Sequence, residues 1–145
     1  MLDGSAGSQT NSISGLMLVG SAGPTTASLV VTNSSLTSSR LTVNYGNASV
    51  LGNGALNNPN AVYIGGDSGN GVLNLNSTGT SSLGTAAAPL CIGGQQNSGN
   101  YGAGALNLTA GALNFASGSS TYYLELGSGD GGTYGSYNQS GGSAI

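Results

Sequence analysis

The sequence predicts an all-β fold, a right-handed parallel β-solenoid with about three short strands per coil. Three observations predict it: runs of alternating Leu, Val and Ile bounded by glycine, an almost uncharged composition, and units that recur at roughly thirty residues. A chain of 145 residues suffices for one domain, but 28 of them are glycine, so any core must be thin. Disordered chains with this Gly, Ser, Asn and Thr content usually carry high charge and few large aliphatic residues. Here Arg40 is the sole basic residue, and the only acids are Asp3, Asp67, Glu125 and Asp130.

The first element of the repeat is an apolar-x-apolar-Gly unit. It occurs as Val62-Tyr63-Ile64-Gly65, Leu90-Cys91-Ile92-Gly93 and Leu124-Glu125-Leu126-Gly127, with a poorer copy at Met17-Leu18-Val19-Gly20. A glycine-rich loop of variable length follows each strong copy. The second element is a strand with a polar centre: Leu73-Asn74-Leu75, Leu106-Asn107-Leu108 and Tyr137-Asn138-Gln139. The third follows a further turn, as Gly79-Thr80-Ser81-Ser82-Leu83 and Gly111-Ala112-Leu113-Asn114-Phe115. Three short arms per period imply a triangular coil.

If each coil lies on the one below at a strand spacing of about 4.8 Å, every interior backbone group is paired. Period-two alternation then sends Val62, Ile64, Leu73, Leu75, Leu90, Ile92, Leu106, Leu108, Leu113, Phe115, Leu124 and Leu126 into the lumen. Tyr63, Cys91 and Glu125 are expected to face out. Glycine at the corners supplies the positive φ that tight bends need. Residues 1–14 read as an irregular lead-in and residues 15–145 as one solenoid domain, most regular from 62 to 145. Leu29-Val30-Val31-Thr32 and Leu41-Thr42-Val43-Asn44 still alternate as strands, with different turns between them.

The stretches Val62-Tyr63-Ile64-Gly65-Gly66 through Gly71-Val72-Leu73-Asn74-Leu75, and Gly135-Ser136-Tyr137-Asn138-Gln139-Ser140-Gly141-Gly142, resemble the autotransporter-associated β-strand repeats of very large bacterial surface proteins. The resemblance covers residues 62 to 145 well and the first sixty poorly. It implies a parallel β-helix at, or shed from, the cell surface. It brings no catalytic residues, because the repeat is a scaffold motif.

Asn74, Asn107 and Asn138 recur at one place in the coil and should stack as a ladder of side-chain amides. A structural ladder outweighs a glycan-binding stripe as the reading of these residues. Gly65-Gly66-Asp67-Ser68-Gly69-Asn70 and Gly127-Ser128-Gly129-Asp130-Gly131-Gly132 faintly resemble calcium-binding solenoid repeats, but one aspartate per loop falls short of the oxygens calcium requires. No metal or cofactor is expected. The chain has no histidine, no lysine and no pair of acids close in sequence, so no catalytic group is assigned. Cys91 reads as a small apolar residue in a protected spot rather than a reactive thiol.

One basic residue cannot neutralise a row of phosphates, so nucleic acid is not an expected partner. The longest apolar run, Leu16-Met17-Leu18-Val19, is too short to span a bilayer, so membrane insertion is not expected either. No basic segment followed by an apolar one marks a signal peptide. The low charge and single cysteine favour an extracellular or cell-surface location. The last repeat breaks off at Ile145 with nothing to blunt its edge, which points to head-to-tail self-association. The functional expectation is a structural solenoid segment stacking into a fibre. The alternative is a glycan-binding adhesin or fibre module using its outer face.

Overall fold

The computed structural model describes residues 1–4, 9–21, 26–58, 60–66, 69–84, 90–94, 102–115, 124–127 and 133–145. Among them every regular element is a strand, and every strand pairing is parallel. The strands are β1 (Leu2–Asp3), β2 (Gln9–Val19), β3 (Ala27–Thr32), β4 (Ser34–Val43), β5 (Gly46–Gly52), β6 (Ala55–Asn58) and β7 (Val62–Ile64), then β8 (Asn70–Leu83), β9 (Leu90–Ile92), β10 (Ala103–Phe115), β11 (Leu124–Leu126), β12 (Tyr134–Gln139) and β13 (Ser143–Ala144). The fold is an all-β parallel solenoid, as the alternating runs predict.

Pairing sorts these strands into three faces. The first face stacks β1, β3, β5, the start of β8, the start of β10, and β12. The second stacks the starts of β2 and β4 with β6, the ends of β8 and β10, and β13. The third stacks the ends of β2 and β4 with β7, β9 and β11. The long strands bend from one face to the next without leaving the ladder, with register shifts between Ile13 and Leu16 in β2 and between Leu108 and Ala112 in β10.

The apolar-x-apolar-Gly unit is the third face and the corner after it. Gly65, Gly93 and Gly127 donate their amides to the carbonyls of Val43, Ile64 and Ile92 one coil earlier, at 2.7, 2.7 and 2.8 Å. All three have φ between 70° and 77°, a conformation side chains strongly disfavour. A second glycine column, Gly71, Gly104 and Gly135, exists for space. A Cβ on Gly104 would stand 2.1 Å from the Ile64 carbonyl oxygen, so no other residue fits where the chain enters the first face.

Aliphatic columns fill the lumen. Val62, Ile64, Leu73, Leu75, Leu90, Ile92, Leu106, Leu108 and Leu113 are all buried in one continuous cluster. Leu124 is partly buried against it. Leu126, expected in the lumen, is 49% exposed. It occupies the right column, beside Ile92, but β11 pairs with β9 alone and nothing among the described residues stacks on its other side. Phe115 pairs with Leu83 through its backbone, and its side chain lies outside the described residues.

The irregular lead-in is corrected. Leu2 and Asp3 pair with Val31 and Thr32, and Gln9 to Ile13 pair in register with Ser34 to Ser38. The first sixty residues are also true coils, only shorter. Val31 pairs with Val50, 19 residues on, whereas Leu75 pairs with Leu108, 33 residues on. From β4 through β6 to the end of β8 the second face is polar even inside. Ser34, Ser38, Asn58 and Ser81, with Ser77 at the corner before it, are buried, and each makes a hydrogen bond to another of them or to the backbone, while Asn58 Oδ1 finds no partner among the described residues. Asn58 donates through Nδ2 to the Ser38 hydroxyl, Ser77 donates to the Gly54 carbonyl, and the Leu56 amide donates to Ser81 Oγ at 3.1 Å.

Candidate functional site

Two outward surfaces gather the polar chemistry of the chain. The first is the outer side of the first face. Asn74, Asn107 and Asn138 stack there as expected: Asn107 Nδ2 donates to Asn74 Oδ1 at 2.8 Å, and Asn138 Nδ2 donates to Asn107 Oδ1 at 2.9 Å. The ladder follows from register, since the three residues pair directly in β8, β10 and β12. Each amide spends one donor or acceptor on its neighbour and keeps others for solvent or a ligand. Ser49 of β5 holds the next place in the column.

Beside the ladder runs a shallow groove of about 460 Å³ that crosses β8, β10 and β12. Small residues line it: Val72, Ala103, Ala105, Ser136 and the glycines paired between them, with Asn70 and Tyr134 at its edge. Tyr134 is 73% exposed.

The second surface is the outer column of the third face, where Thr42, Tyr63, Cys91 and Glu125 are stacked in register. Tyr63 and Cys91 point away from the lumen, as alternation requires, but they are not exposed. With Ala61 they form a second buried cluster. The Arg40 guanidinium lies over the Tyr63 ring, 4.7 Å from its centroid. Burial raises the pKa of Tyr63, and the charge of Arg40 partly opposes the rise. Cys91 Sγ donates to Glu125 Oε2 at 3.5 Å. The sole cysteine and one of the four acids thus share one column, and the one Lys or Arg side chain, Arg40, reaches over it from two residues away. Alternation gave their direction but could not show their burial, because burial depends on what lies over the sheet.

The two loop acids weighed as calcium ligands, Asp67 and Asp130, lie outside the described residues. Among the described residues, no group of three His, Cys, Asp or Glu could hold a metal ion. Comparison with family models, with curated proteins and with solved structures finds no match.

Proposed function

We propose that this chain is a structural segment of an extracellular or cell-surface bacterial protein, a solenoid whose coils stack end to end into a fibre. The observation that carries this reading is the state of the third face. Among the described residues, at one end β11 pairs with β9 alone, and at the other the Leu16–Val19 end of β2 pairs with β4 alone. Each free edge is a row of backbone donors and acceptors open to another strand. At one end a lumen side chain, Leu126, is 49% exposed, whereas at the other the exposed Leu16 and Leu18 stand on the outer side of the face, in line with Arg40 and Thr42. A further coil, from the same polypeptide or from a second copy, would pair these edges and cover Leu126. With one cation and four anions in the chain, little repulsion opposes the approach. The surface location rests on the composition and on the likeness of residues 62 to 145 to autotransporter-associated repeats. A scaffold rather than an enzyme is favoured by a chain with no histidine or lysine to serve as acid or base.

Sedimentation of the purified chain over a wide concentration range, with micrographs of the same samples, tests the proposal. Rods that lengthen with concentration are the expected result. A single monomer boundary at high concentration, with no rods, would overturn end-to-end stacking.

A second reading, recognition of a glycan by the flank, is favoured by the amide ladder on the outer side of the first face.

A further inference from the structure

We infer that the groove across β8, β10 and β12, together with the amide ladder beside it, binds a neutral linear polysaccharide lying along the solenoid axis. The inference rests on the second reading above and gives it a site and a ligand class. Three properties of the surface choose that ligand.

The first is shape and repeat. The groove is built from paired positions in three successive coils, Asn70/Ala103/Tyr134 and Val72/Ala105/Ser136, so it steps along the axis by about 4.8 Å per coil. A ligand that uses all three coils must itself be extended along that axis. The second is the pairing of apolar and polar surface. The methyl-sized floor and the Tyr134 ring suit the C–H faces of sugar rings. Two residues along each strand, about 6.6 Å away, the ladder offers amide donors and acceptors for hydroxyls at the rim. Convergence of a concave apolar floor with a few fixed polar groups is the usual build of a small-molecule subsite. The third is charge. Every described residue lining the groove is uncharged, and so are the three ladder residues. The one Lys or Arg of the chain, Arg40, lies on the third face, so an anionic polymer would find no such cation here.

The ladder also explains why the ligand need not order the protein on binding. Each amide is held by its neighbour in the stack, so the exposed donors and acceptors are already aligned, and little rotamer entropy remains to be lost. Tyr134 is the aromatic element of the groove.

Affinity electrophoresis of the purified chain through gels containing hydroxyethylcellulose, galactomannan or dextran tests this, with heparin as the anionic control. Retardation by at least one neutral polymer and none by heparin is expected. Tyr134→Ala should weaken that binding by about ten-fold or more, and Ala105→Gln, which fills the floor, should do the same. Both variants should keep the wild-type melting temperature and the wild-type behaviour in sedimentation, since the groove lies on the flank and not at the open edges. Retardation by no neutral polymer, equal retardation by heparin, or full binding by Tyr134→Ala would overturn the inference. Loss of binding with rods intact separates this site from the stacking proposal, which fails only if the rods are absent.

Discussion

β10 and β12 share one register for six residues, from Ala103 against Tyr134 to Leu108 against Gln139, yet their inward side chains meet different fates. Leu106 and Leu108 are sealed. Their column partners Tyr137 and Gln139 reach solvent, and they differ in chemistry accordingly. The Tyr137 hydroxyl donates to Gln139 Oε1 at 2.9 Å, and Gln139 Nε2 donates to the Gly142 carbonyl at 3.1 Å. β10 is covered on both sides, by β8 and by β12, whereas among the described residues β12 pairs only with β10. The same repeat position therefore carries leucine where coils lie above and below, and a hydrogen-bonded polar pair where one side is open. Burial in a solenoid belongs to the stack and not to the strand.

The sharpest way to break this comparison is to place a charge at equivalent positions. Leu106→Asp puts an unpaired carboxylate into the sealed lumen and should cost several kcal/mol, enough to abolish the cooperative β-sheet melt followed by circular dichroism. Tyr137→Asp, one coil on, should leave that melt largely in place. Equal loss in the two variants would mean that the last coil is as closed as the one before it.

Truncation asks the same question more gently. Leu108→Ala should destabilise by about 2–5 kcal/mol in urea unfolding through the cavity it leaves. Gln139→Ala should fall within about 0.5 kcal/mol of the parent.

The ladder grades the comparison further. Asn107 takes part in both ladder bonds and Asn138 in one, so Asn107→Ala should cost about 1 kcal/mol, and Asn138→Ala roughly half of that. Identical costs would show that the amides act independently.

The smallest effect is one of pH. Burial raises the pKa of Tyr63 above its ordinary 10.0, so the folded chain keeps its phenol proton at a pH where the unfolded chain has lost it. The folded state then holds more protons, and stability is full below about pH 10 and falls as the pH rises through the folded value. Tyr63→Phe should flatten that alkaline decline in thermal melts taken between pH 8 and 11. An unchanged decline would assign it to other tyrosines, among them Tyr137, whose pKa burial also raises.

Much of this was legible in the residues, for local reasons. The apolar-x-apolar-Gly unit marks the third face because its glycine must take positive φ at the corner, a demand written into one residue type. The asparagines stack because three strands share one register, with leucines flanking Asn74 and Asn107 and Tyr137 and Gln139 flanking Asn138. The early coils were harder to read. Ser34-Ser35-Leu36-Thr37-Ser38 carries one large apolar residue, and its buried serines find partners in other coils: Ser34 donates to the Leu2 carbonyl, and Asn58 donates to Ser38.

By itself the sequence determined the strand class, the three-armed period, the glycine corners and the direction in which each side chain points, because alternation and backbone φ are properties of neighbouring residues. Only the tertiary structure decided how much water each side chain sees. Leu126 points inward and stays half exposed, while Cys91 points outward and is fully buried. The strand fixes direction, but cover comes from chain that lies 19 to 34 residues away, and no pattern within the strand itself records whether that cover is present.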